Sequence, residues 1–232
     1  MISIYKVNAL FVKQMKNLAY NSFILVGLVV PLIFAVLFGR LIPGTEAIAL
    51  PMSVLMNIAL SGMNTMCILV AEEKEKDTLR VLMTSTVSPL DFLISNTLAT
   101  LVITVILNSL MYVICGTAAI VFWQFFLLTT LGSIAALLLG GIVGIVSKNQ
   151  MSASGIMTPF AMVLLLIPMF GEMLPGLAAV GEALFSQQVY LGLFEMAEGT
   201  FYWSRMAVIL VNIVVIMAAF VLVYKKVGLD ED

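Results

Sequence analysis

Six long apolar runs, separated by short charged clusters, govern what this chain can become. They cover about residues 22–38, 48–70, 92–115, 125–146, 155–170 and 206–224. A helix of ~20 residues crosses a ~30 Å hydrocarbon core. No water reaches that core, so the crossing segments must satisfy their own backbones as helices or closed barrels. Barrel strands would be ~10 residues long with apolar and polar positions alternating. These runs are longer and do not alternate. The expected fold class is therefore all-α: an integral membrane protein with six transmembrane helices in one domain, 1–232. Composition agrees, with 62% hydrophobic and only 10% charged residues, against ~25% charged in soluble domains.

Where the charges sit sets the expected orientation. With a cytoplasmic N-terminus, the inner side holds Lys6, Lys13, Lys16, Lys74, Lys76, Arg80, Lys148, Lys225 and Lys226. The outer side holds Arg40 and Arg205, so nine of the eleven basic residues are inside, as the positive-inside rule requires. Both termini are then cytoplasmic. Trp123 and Trp203 fall at the outer edge, where amphipathic rings favour the headgroup layer.

Two segments read as helices outside the spans. In residues 1–20, Ile4, Val7, Phe11, Met15 and Leu18 recur every three or four positions. Lys6, Lys13 and Lys16 lie mostly opposite, the pattern of an amphipathic helix on the inner membrane surface. The segment lacks the short apolar core and small-residue cleavage site of a signal peptide. Residues 171–204 carry Glu172, Glu182, Glu195 and Glu198 but are too apolar for a solvated loop. Two short helices in the outer interface fit better, with Pro175-Gly176 as the turn before the first.

The stretch from 71 to 91, which opens AEEKEKDTLR, is the most informative. Glu72 and Lys76 stand four apart, acid first, the favourable order for a helical pair. Leu79, Val81, Leu82 and Met83 form an apolar patch, and a turn is expected at 84–87. Ser88 as cap, Pro89 at the first helical position and Asp91 closing a capping box make a full helix start. Val87 and Phe92 are spaced for a hydrophobic staple. The expectation is a short, stiff, charged hairpin; the alternative is a solvated connector whose charges only fix topology.

These residues resemble the permease subunits of ABC-2 type transporters. Members share an N-terminal surface helix, six spans, and a loop between spans two and three that reads E-x-E, G-T-L, L, then Ser-Pro. The matching residues are Glu73 and Glu75, Thr78-Leu79, Leu82, and Ser88-Pro89; Asp77 stands at the family's Gly, and Asn96 near the position where many members have Lys. The resemblance implies that a separate ABC ATPase subunit docks on the hairpin, through Glu72, Glu73, Glu75, Leu79, Arg80, Leu82, Ser88, Pro89 and Asp91. It also implies a second permease copy or a paralogue as partner, in the cytoplasmic membrane of a bacterium. ATP and magnesium would be bound by the ATPase and no cofactor by this chain, which has no G-x-x-x-x-G-K-[ST] loop. The cargo expected from such apolar spans is amphipathic or lipophilic, an antimicrobial peptide or a drug moved outward. The rival reading is a non-transport membrane scaffold or immunity protein that binds a peptide or partner.

Polar residues within the spans are the remaining signal. Ser53, Asn57, Ser61 and Asn64 fall on one face of span two, and Asn96, Thr100, Thr104, Asn108 and Tyr112 form a stripe on span three. Either these are hydrogen bonds between helices, worth ~0.6 kcal/mol each, or the span-two residues line a translocation path. Gly132, Ala136, Gly140 and Gly144 in span four make a small-residue series that lets backbones approach closely. Pro159 and Pro168 are expected to kink span five. No run carries Asp, Glu, Lys or Arg, and histidine is absent. Ion-coupled carriers, voltage sensors and intramembrane proteases all need ionisable groups at membrane depth, so these classes are disfavoured. Cys67 and Cys115 lie in apolar runs with no metal-ligand spacing, and nothing suggests nucleic acid as a partner.

Overall fold

A computed structural model describes residues 4–76, 89–116, 120–173 and 175–230. The described residues are helical with no strand. Helix α1 (Ile4–Tyr20) precedes α2 (Ser22–Val36), which a π-helical turn extends through Leu37–Leu41. Helices α3 (Glu46–Met56) and α4 (Met63–Glu75) are joined by a second π-helical turn, Asn57–Gly62. Then come α5 (Pro89–Cys115), α6 (Phe122–Val146), α7 (Gln150–Phe170), the short α8 (Pro175–Glu182) and α9 (Phe185–Ala197), and α10 (Trp203–Asp230).

Six helical segments are long and apolar enough to cross a membrane: Ile24–Leu41, Glu46–Glu75, Asp91–Cys115, Phe122–Val146, Gln150–Phe170 and Trp203–Tyr224. They coincide with the six runs of the sequence, and the differences lie at the ends. Span two reaches Glu75, so the AEEKE stretch continues the span-two helix, as the helical Glu72–Lys76 spacing predicts. Span five starts at Gln150 because Asn149 caps it, its Oδ1 accepting from the Ser152 backbone N–H at 2.8 Å. Past span one the chain turns at Gly44, whose φ of +85° suits glycine. The Thr45 hydroxyl closes that turn by donating to the carbonyls of Phe38 (2.7 Å) and Ile42 (2.8 Å).

Span two is the axis of the bundle. Its most apolar stretch is 83% buried by the rest of the chain, against 22% for span six. One side is sealed by the span-four glycines. A Cβ on Gly140 would lie 2.2 Å from the Met63 carbonyl oxygen, and one on Gly144 would lie 2.7 Å from that of Cys67. The expected close approach of backbones is present, and its partner is α4. Gly132 serves α9 in the same way, since its Cβ would meet Val189 at 2.4 Å.

Helix α1 lies against the bundle. Phe11, Met15 and Leu18 pack with Ile24, Ile68, Leu69 and Ala99. The apolar stripe thus packs on spans one, two and three. Residues 171–204 contain two short helices, but Pro175-Gly176, expected as the turn before the first, are its opening residues, where proline's fixed φ and missing N–H suit the first helical position. The expected turn at 84–87, with Leu79, Arg80, Leu82 and Ser88, lies outside the described residues.

Candidate functional site

The charged end of span two is built from consecutive residues that each reach a different element. A helix advances about 100° per residue, so neighbouring side chains must diverge. Glu72 turns back along its own helix and pairs with Lys76. That hydrogen bond, then the charge itself, raises the Lys76 ammonium above its ordinary pKa. Glu73 turns inward and is only 3% exposed. Its Oε1 accepts from Lys13 Nζ at 2.6 Å and from Gln14 Nε2 at 2.9 Å, and its Oε2 accepts from Lys13 Nζ at 2.8 Å. Lys74 Nζ donates to the Ile145 carbonyl at 3.0 Å, on the last turn of α6, where a cation is favoured by the helix dipole. Glu75 Oε2 accepts from the Gln150 backbone N–H at 3.1 Å, an otherwise orphan donor in the first turn of α7.

This geometry sorts the residues that the sequence assigns to docking. Glu75 is exposed and Glu72 half-buried. Glu73 and Asp91 are buried within this chain. The Glu73 carboxylate is held by α1, so it faces the chain's own first helix. Pro89 starts α5, and Asp91 sits in its first turn. Leu79, Arg80, Leu82 and Ser88 are among the residues not described. Hydropathy could not single out Gln14, which is 1% exposed on the packed side of α1. The available signal was its place at the helical spacing of Phe11, Met15 and Leu18.

The polar face of span two divides at the π-helical turn. Asn57 Nδ2 donates to the Thr104 carbonyl at 3.0 Å and to Asn108 Oδ1 at 2.8 Å, binding span two to span three. Ser53 Oγ donates within its own helix to Leu50. Ser61 Oγ donates to the Gly27 carbonyl of span one at 2.7 Å. Ser61 and Asn64 also line a cleft of about 230 Å³ bounded by Gly27, Val30, Pro31, Met56, Leu60, Thr158 and Ala161. Buried Asn64 Oδ1 has no hydrogen-bond partner among the described residues. The cleft therefore has apolar walls from spans one, two and five and a small polar floor. On span three, Thr100 and Thr104 bond back to their own helix, while Tyr112 reaches the Ile120 carbonyl at 2.6 Å.

The opposite end of the bundle is fastened by arginines. Arg40 Nε donates to the Ile114 carbonyl at 2.5 Å, at the end of span three. Arg205 grips Glu195 with two nitrogens, one at 2.6 Å, and reaches Gln188 Oε1 at 2.8 Å. This clamp ties α9 to the start of span six, and bidentate geometry makes it stronger than a loose surface pair. Trp123 and Trp203 meet there, with ring centroids 5.8 Å apart. The described residues hold no group of His, Cys, Asp and Glu fit for a metal ion.

Comparison with curated proteins found no match. Comparison with protein families matched ABC-2 type transporter over residues 5–171, from α1 to the end of span five. The match covers well over half of the chain and includes the charged end of span two. With six membrane-spanning helices and this match, the chain belongs to the ABC-2 type transporter family and is a multi-pass permease subunit of an ABC transporter.

Proposed function

We propose that this permease moves an amphipathic or lipophilic cargo, such as an antimicrobial peptide or a drug, outward across the cytoplasmic membrane of a bacterium. Both termini face the cytoplasm, following the positive charges. The working assembly contains a second permease copy or a paralogue and separate ATPase subunits, which hold ATP and magnesium. This chain is the non-catalytic part, and residues 77–88 are where the ATPase docks. The observation that carries this reading is the mounting of that loop. Its base at Glu72–Lys76 is a helix anchored at successive residues, a stiffness that a passive connector does not need. The cleft at Ser61 and Asn64 supports a path for a mainly apolar cargo with some polar groups.

The test removes the loop's contacts while leaving its base intact. Arg80→Ala with Leu82→Ala should leave the permease inserted at wild-type levels. It should release the ATPase in a pull-down and abolish cargo-stimulated hydrolysis. Full binding and full stimulation in the double variant would reduce the loop to a connector and place the ATPase's docking site elsewhere on the permease.

A further inference from the structure

We infer that Glu73 is a positioning residue: together with Lys74 and Glu75 it joins α1 and the charged-end tips of spans four and five to the base of the 77–88 loop, so that these elements move as one body. The inference rests on the docking reading for that loop, but the hub itself is a property of this chain alone.

Three consecutive side chains carry it. Glu73 takes α1 through Lys13 and Gln14, Lys74 takes the last turn of α6 through Ile145, and Glu75 takes the first turn of α7 through Gln150. All three anchors lie within one helical turn of the last described residue before the loop. A push on the loop therefore meets α4, α1, α6 and α7 together. Apolar packing alone would not ensure this. The contacts of α1 with Ile68 and Leu69 can slide, because hydrophobic attraction is non-directional. A buried carboxylate facing an ammonium and an amide fixes a direction, and charge-assisted bonds are the stronger kind. Removing one partner strands the other, which makes Glu73 the decisive position.

The experiment uses the full-length permease in vesicles, with Cys67 and Cys115 replaced by Ala. Spin labels at Val12→Cys and Met151→Cys, both exposed positions on α1 and α7, report the distance between these helices. Wild type should give one narrow distribution, and Glu73→Ala should broaden it. Lys13→Met should broaden it too; because it strands the buried Glu73 carboxylate, Glu73→Gln, which removes the charge but keeps the side chain's shape, is the variant to read if Glu73→Ala fails to fold. Lys13→Glu with Glu73→Lys should narrow it again. In the complex with the ATPase, both broadening variants should retain ATPase binding while transport per ATP hydrolysed falls about tenfold, the change set by ~1.4 kcal/mol. The reversed pair should recover most of that ratio. A distribution that stays narrow in both variants would overturn the hub, and broadening without loss of coupling would overturn its role in transmission. If the wild-type permease binds no ATPase, the docking reading fails, while the distance measurement still judges the hub.

Discussion

The two faces of span two are opposites. Toward span four, glycines bring backbones together until no Cβ fits: one on Gly140 would lie 2.2 Å from Met63 O. Toward spans one and five, the same helix borders a cleft, and a Cβ on Gly27 would meet nothing within 4 Å. Glycine therefore means different things on the two sides. On the first face it is required by contact, and the helices behave as one block. On the second face it leaves space, beside polar groups that packing does not consume. A transport subunit needs both, a rigid body to move and a surface that is not filled by its own side chains.

The sharpest way to break this contrast is to add one methyl group to the sealed face. Gly140→Ala forces a Cβ against backbone, which has no rotamer in which to escape. Overpacking of this kind costs about 1–3 kcal/mol or more. A clear drop in the melting temperature of the purified permease, with lower yield, is expected. Unchanged melting would show that spans two and four are not as close as they stand here.

A smaller effect is expected between spans two and three. Asn57→Leu removes the bonds to Thr104 and Asn108 and leaves Asn108 Oδ1 buried without this donor. Hydrogen bonds between membrane helices average ~0.6 kcal/mol and reach ~1.7, so the loss should be about 1 kcal/mol, read as a modest fall in melting temperature. Adding Asn108→Leu should cost little more, because the pair is then replaced together. If the two losses are simply additive, the residues act independently and the pairing is incidental.

The contrast also marks how much was legible beforehand. Runs of apolar residues placed all six spans, since burial in hydrocarbon leaves a signal in every residue of a run. Pro175 and the apolar content of 171–204 placed α8 and α9. The glycine series announced close approach but not its partner, because small size names no neighbour. The polar contacts were the least legible. Glu73 sits in a charged run and reads as solvated, yet it is buried by Lys13 and Gln14, about sixty positions away. Such pairing depends on which helices meet, and hydropathy records only which faces avoid water. The π-helical turns at Leu37–Leu41 and Asn57–Gly62 were invisible for a related reason. One extra residue in a helical turn shifts the register of the face without changing the composition of the run.

The smallest change is expected from the same methyl group placed on the open face. Gly27→Ala meets no atom within 4 Å, and alanine favours the helix over glycine by up to ~1 kcal/mol in water. The hydrogen bond from Ser61 goes to the Gly27 carbonyl, which alanine retains. Melting should therefore stay level or rise slightly, the reverse of Gly140→Ala, although the two substitutions are chemically identical. Gly27 lines the cleft together with Ser61 and Asn64, so a cargo that uses the cleft should feel the substitution as a change in cargo-stimulated ATP hydrolysis, without loss of assembly. Gly27→Leu should enlarge that change while stability still holds. If Gly27→Ala lowers melting as much as Gly140→Ala does, the cleft is filled in the membrane-embedded protein, and the difference between the two faces of span two disappears.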